Sequence, residues 1–295
     1  MKCKETLAQK TGWFLGFAGP AMLCFTAVII VPFIYGLYLT LTDWNGISST
    51  KELVGLRNYL LVFADSSFWR SLLLTLIYSA ISVALINLVG FLLAYLVTNS
   101  GRCQNLFRLG FFTPNLIGGV VLGYIWQFIF SRALVYVGTS CQLPLFIKSW
   151  LSDPVQAVAA LVAVSVWQYS GYMMLIYIAG LTGIPQELTE AARIDGCSKP
   201  QALLHVTMPL MTSSFVICIF LSITRCFMSY DLNMALTEGG PYGSTVMAAM
   251  YVYQKAFSNK QYGLGQTEAV ILFAVCALIA LLQVYAGKKK EMETT

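Results

Sequence analysis

The chain has 295 residues, of which 58% are hydrophobic and only 11% charged, against roughly half and a quarter in soluble domains. With a mean hydropathy of +0.71, that balance excludes a soluble globular domain and marks an all-α polytopic membrane protein, read as one membrane domain over 1–295. The net charge of +5 sits in short basic clusters at loops and termini, so it reports membrane topology and not nucleic-acid binding.

A helix that crosses the hydrocarbon core needs about 20 mostly apolar residues, and six stretches meet that requirement. The first, 13–41, contains Pro20 and Pro32, which predict kinks held by neighbouring helices. It is too long for a cleaved signal and lacks a convincing small-residue cleavage site, so it is expected to remain as a span. The others are 71–97, 109–130, 155–181, 210–229 and 267–286. Residues 245–257 are apolar and aromatic but interrupted by Gln254 and Lys255, which predicts an interfacial or re-entrant piece. The external loops carry turn chemistry at Asp43-Trp44-Asn45-Gly46 and Gly239-Gly240-Pro241 and are too short for a catalytic domain.

Six spans place both termini on the side of the loops 98–108 and 182–209. That side concentrates Lys2, Lys4, Lys10, Arg102, Arg108, Arg193, Lys199, Lys288, Lys289 and Lys290, which predicts it to be cytoplasmic. The eight cysteines form no C-x-x-C pair and read as small packed hydrophobes, not as a disulfide framework or metal site.

Several chemistries are excluded by what is missing. There is no G-x-x-x-x-G-K-[ST] phosphate loop, no G-x-S-x-G elbow, and a single histidine, His205, without a nearby acid to orient it. Polar residues inside the spans then carry the functional hypotheses, because they are costly in lipid. They are Asn87, Gln127, Gln168, Arg225 and Glu268. Gln168 is flanked by Trp167, Tyr169 and Tyr172, a mixture of flat aromatic faces and hydrogen-bonding groups that suits a sugar. The same residues also suit plain interhelical hydrogen bonding with a belt of aromatics. Asn87, Gln127, Trp167, Gln168 and Tyr172 are the candidates for a substrate pathway. Arg225 is expected within reach of Asp231, and Glu268 is expected near the outer surface in contact with water. Gly119-x-x-x-Gly123 permits close helix approach.

The best-formed polar interval is 182–209. Pro185 suits a first helical position, Glu187 and Glu190 place negative charge in the first turns, and Gly196 tolerates the positive φ that ends a helix before Lys199 and Pro200. Leu188, Ala191 and Ala192 give only a small apolar face, poor for membrane anchoring and better suited to a groove on a protein.

Within that interval Glu190-Ala191-Ala192, Gly196 and Val206-Thr207-Met208-Pro209 match EAA-x3-G-x9-I-x-L-P. The chain therefore resembles the membrane subunits of binding-protein-dependent ABC importers. Val206 and Met208 stand where Ile and Leu are usual. Arg193-Ile194-Asp195-Gly196 is similar to the carbohydrate branch, of the maltose and glycerol-phosphate type. Leu41-Thr42-Asp43-Trp44-Asn45-Gly46, Gly55-Leu56-Arg57-Asn58-Tyr59 and Leu236-Thr237-Glu238-Gly239-Gly240-Pro241 agree with it. The resemblance implies a non-catalytic subunit of a bacterial or archaeal cytoplasmic membrane, binding no cofactor itself. Its implied partners are a second permease subunit, two cytosolic ABC ATPase subunits, an extracytoplasmic solute-binding protein, a carbohydrate and membrane lipid. It also implies that Glu190, Ala191, Ala192, Asp195, Gly196 and Pro209 couple the chain to the ATPase. An ion-driven transporter would need paired acids at mid-membrane, and an intramembrane enzyme a nucleophile with a base; neither pattern is present.

Overall fold

The computed structural model describes residues 7–99 and 101–294, with side chains from Phe14 onward except at 15, 102, 193 and 290–294. Of the basic residues that argue orientation, Lys2 and Lys4 lie outside the described residues, as do the side chains of Lys10, Arg102, Arg193 and Lys290. The described chain is helical, with one isolated antiparallel bridge, Thr42 to Leu53. Among the described residues five helices are long and apolar enough to cross a membrane: Gly16–Leu39, Ser66–Thr98, Gly119–Ser140, Pro154–Thr182 and Tyr262–Lys289. A bent pair, Lys199–Leu210 and Thr212–Phe227, brings the total to six if it counts as one span. We number these the first to sixth spans in chain order, the bent pair being the fifth. Residues 245–257 supply only a short helix, Ala248–Tyr253, and a π turn, Gln254–Ser258, consistent with a piece too short to cross.

The chain divides into two compact units, Met1–Asp65 with Val252–Val270, and Ser66–Tyr251 with Ile271–Thr295. In the first unit the motifs 41–46 and 55–59 bond to each other. Asn58 Nδ2 donates to the carbonyls of Thr40 and Thr42 at 2.8 Å each, and Val54 N–H donates to Leu41 O at 2.8 Å. The start of the sixth span docks here because Gly263 has no side chain: a Cβ would stand 2.1 Å from Thr42 O. Glu268 corrects one expectation. It is 0% exposed, and neither carboxylate oxygen has a hydrogen-bond partner, so it is packed inside and not solvated at the outer surface. Lys255 pairs with Asp65 at 2.9 Å in the same unit.

The second unit is built on the second and fourth spans, which pack along their lengths, with Thr212–Phe227 against both. Here the third span departs from its expected 109–130. The helix Gln104–Phe112 gives way to a 3-10 turn, Thr113–Leu116, and an extended Gly118 before the helix restarts at Gly119. Pro114 cannot donate to a helical ladder and disfavours helical backbone before it. The crossing segment therefore shifts to Gly119–Ser140. Gly119 and Gly123 let the helix Asp231–Thr237 lie close beside Gly119–Phe128: a Cβ on Gly123 would meet Ala235 Cβ at 2.5 Å.

Candidate functional site: a polar arm and an intramembrane cluster

The arm begins where the fourth span ends. The helix Gln186–Ile194 starts one residue after Pro185, so the proline precedes the helix and is not its first residue; its carbonyl accepts from Leu188 N–H at 3.3 Å. The helix stops at Gly196, whose φ is +85°. Asp195 N–H donates to Ala191 O at 2.9 Å and Cys197 N–H reaches back to Ala192 O at 3.0 Å, the bond pattern of a helix closed by a left-handed residue. A Cβ on Gly196 would meet nothing within 4 Å. The glycine is therefore required by its own dihedral and not by crowding.

Beyond the turn, Ser198 N–H and Oγ both donate to Gln201 Oε1, at 2.8 and 2.7 Å, which fixes the start of the next helix. His205 Nδ1 lies 3.1 Å from Gln201 O, an ordinary contact one turn back that leaves it no acid partner. The segment Lys199–Leu210 then bends by 71° into Thr212–Phe227. Pro209 stands just before this bend, and Thr212 Oγ1 donates to Pro209 O at 2.6 Å.

The arm has two faces. Ala192 is 7% exposed and packs inward. Leu188, Ala191 and Ile194, spaced by three, are exposed, Ile194 at 86%. The outward apolar face is therefore Leu188, Ala191 and Ile194, and not the set with Ala192 expected from sequence. Glu190 and Asp195 flank it, both exposed and without an ion pair to a described residue. The helical spacing points to Ile194 only when the inward orientation of Ala192 is known.

The intramembrane candidates divide. Asn87 belongs to a hub that ties three spans: it donates to Ser222 Oγ at 2.9 Å and accepts from Tyr177 OH at 2.7 Å. Tyr177 packs edge-on against Phe91. Gln127 is half-buried and makes no side-chain hydrogen bond to a described residue. Gln168, 4% exposed, donates to Ile117 O at 3.1 Å, while its Oε1 has no partner. Trp167 meets Trp126 edge-on, and Tyr172 leans on Phe112.

Tyr172 and Tyr169 also meet Arg225. The guanidinium carbon lies 5.0 Å from the Tyr172 ring centroid and 5.1 Å from that of Tyr169. Nη1 donates to Asn115 Oδ1 at 3.1 Å. No ion pair forms with Asp231, because Asp231 opens the next helix beside Gly119 while the arginine is held by the rings and Asn115. Fourth span, fifth span and the break in the third thus meet at one cluster of Gln168, Tyr169, Tyr172, Arg225 and Asn115. Sequence reasoning missed Asn115; the Thr-Pro-Asn inside an apolar stretch was its signal. Irregular backbone at membrane depth is tolerated where it is buried in protein or lines a polar cavity.

Residues 86–291 match the family described as "Binding-protein-dependent transport system inner membrane component". The chain is 38% identical over 281 residues to the "Probable starch degradation products transport system permease protein AmyD" of Thermoanaerobacterium thermosulfurigenes, covering 95% of this chain and 96% of the relative. It is 27% identical to the "Multiple sugar-binding transport system permease protein MsmF" of Streptococcus mutans, over 99% of this chain and all of the relative. In fold it is similar to a chain of a bacterial ABC transporter involved in the import of the acidic polysaccharide alginate. The TM-score is 0.80 at 16% sequence identity, over 95% of this chain and 96% of that one.

Proposed function

Because the chain belongs to the binding-protein-dependent inner-membrane transport components, we propose that it forms half of the membrane pathway of an ATP-driven sugar importer. It is a multi-pass transport subunit and not an enzyme. In this reading it sits in the cytoplasmic membrane with both termini inside, beside a second permease subunit. A solute-binding protein delivers the sugar from outside, and two cytosolic ATPase subunits bind and hydrolyse ATP, a task for which this chain supplies no phosphate loop or cofactor site. The relatives named for starch products and multiple sugars support the carbohydrate class.

The observation that carries the coupling role is the exposed face of Leu188, Ala191 and Ile194 on the helix Gln186–Ile194. A small apolar patch with exposed carboxylates at its edge fits a groove on a protein. Glu190 and Asp195 would fix its register through charge-assisted hydrogen bonds. Closure of the ATPase pair would shift this helix as a body. The turn at Gly196 and the bonded segment behind it pass the shift to the bend at Met211, and so to Thr212–Phe227, which carries Arg225 and Ser222. The intramembrane cluster and the hub both contact that span, so a rigid displacement of the arm reorganises them together.

Ala191→Trp tests this directly, since the position is exposed and the fold tolerates a large side chain there. Membrane insertion stays at the wild-type level, while the amount of ATPase subunit that co-purifies falls at least tenfold and uptake is lost. Normal uptake by the variant would remove the coupling assignment.

A further inference from the structure

Resting on that reading of the chain as a sugar permease, we propose that Arg225 determines specificity at the intramembrane cluster and selects saccharides that carry a carboxylate or a phosphate ester. Arg225 is half-buried in the fifth span. Its charge is not neutralised there: the Lys255–Asp65 pair is the ion pair among the described residues. Guanidinium carries five N–H donors in a planar fork; Nη1 donates to Asn115 and the Tyr169 hydroxyl also interacts with the group, which leaves donors to spare. The two tyrosine rings hold the plane of the fork, at 5.0 and 5.1 Å, without supplying an opposite charge. A preset fork with spare donors matches a pair of anionic oxygens better than it matches single hydroxyls.

The neighbours suit the rest of a saccharide. Tyr169 and Tyr172 offer aromatic faces beside the guanidinium, the surface on which a sugar ring stacks. A neutral sugar would leave the half-buried arginine charge without a counter-ion. An acidic one neutralises it at the moment of binding, which favours the acidic ligand selectively.

The test is equilibrium binding to the assembled permease and ATPase complex in lipid nanodiscs, with the solute-binding protein left out so that its own preference does not enter. Three probes are compared: a neutral glucose trisaccharide, the same trisaccharide ending in glucuronic acid, and the same trisaccharide carrying one phosphate. At least one acidic probe binds tenfold or more tightly than the neutral one, and which of them does so identifies the anion. Arg225→Gln abolishes the ratio and Arg225→Lys keeps part of it, as expected for losing a charge-assisted hydrogen bond. If Arg225→Gln does not assemble, Asn115→Asp must cancel the preference instead, by placing a carboxylate on the same nitrogen. Equal or tighter binding of the neutral probe overturns the inference and leaves the sugar reading standing. Failure of all three probes to bind overturns both, and a preference that survives Arg225→Gln or Asn115→Asp overturns the role of Arg225.

Discussion

Gly171 and Gly196 are glycines for opposite reasons. A Cβ on Gly171, in the fourth span, would lie 1.8 Å from Phe111 O and 2.5 Å from Phe111 C, both backbone atoms that cannot swing away. A Cβ on Gly196 meets nothing, but the residue sits at φ +85°, where side chains other than Asn are disfavoured. At these two positions the membrane core is thus specified by what surrounds the residue, and the polar arm by what the residue does to its own backbone.

Substitutions at four positions can break or sharpen this contrast. Gly171→Ala has the largest effect: overpacking against backbone costs about 3 kcal/mol or more, seen as loss of monodisperse protein in detergent. A tolerated alanine there would dissolve the contrast. Tyr177→Phe leaves Asn87 Oδ1 without the donor that now reaches it, so thermal unfolding shows a loss of about 1–3 kcal/mol. Gly196→Ala strains only the turn, by about 1–2 kcal/mol. Uptake falls while the melting temperature of the spans holds, and Gly196→Asn recovers part of the uptake because Asn accepts that region. Equal damage from Ala and Asn would show that the turn is constrained by contact after all. Ile194→Ser has the smallest effect on the fold, within about 0.5 kcal/mol for an exposed position, yet it lowers the ATPase subunit recovered with the complex.

The arm is largely legible in its own residues: its helix, the turn at Gly196 and its charges follow from local propensities. The face it presents is not, because whether Ala191 or Ala192 points outward depends on what packs beneath the helix. The intramembrane cluster is half legible. Gln168 and Tyr172 stand out as polar and aromatic residues in an apolar run, but the cluster they belong to is closed by contacts distant in sequence, as in the Arg225–Asn115 bond across 110 residues. Asn87 shows the same limit. Its polarity is visible in the sequence, and its commitment to Tyr177 and Ser222 is not.

What the sequence determined by itself is whatever depends on transfer to lipid and on local backbone preference: the all-α membrane class, the apolar segments, and the turn that closes the arm at Gly196. What only the tertiary structure decided depends on contacts distant in sequence. It pressed the Phe111 backbone against the fourth span at Gly171, just before the break at Thr113–Leu116 that Pro114 imposes locally. It buried Glu268, and it gave Arg225 two aromatic rings and an amide in place of Asp231. Hydropathy and propensity act along the chain, and these outcomes were fixed by packing across it.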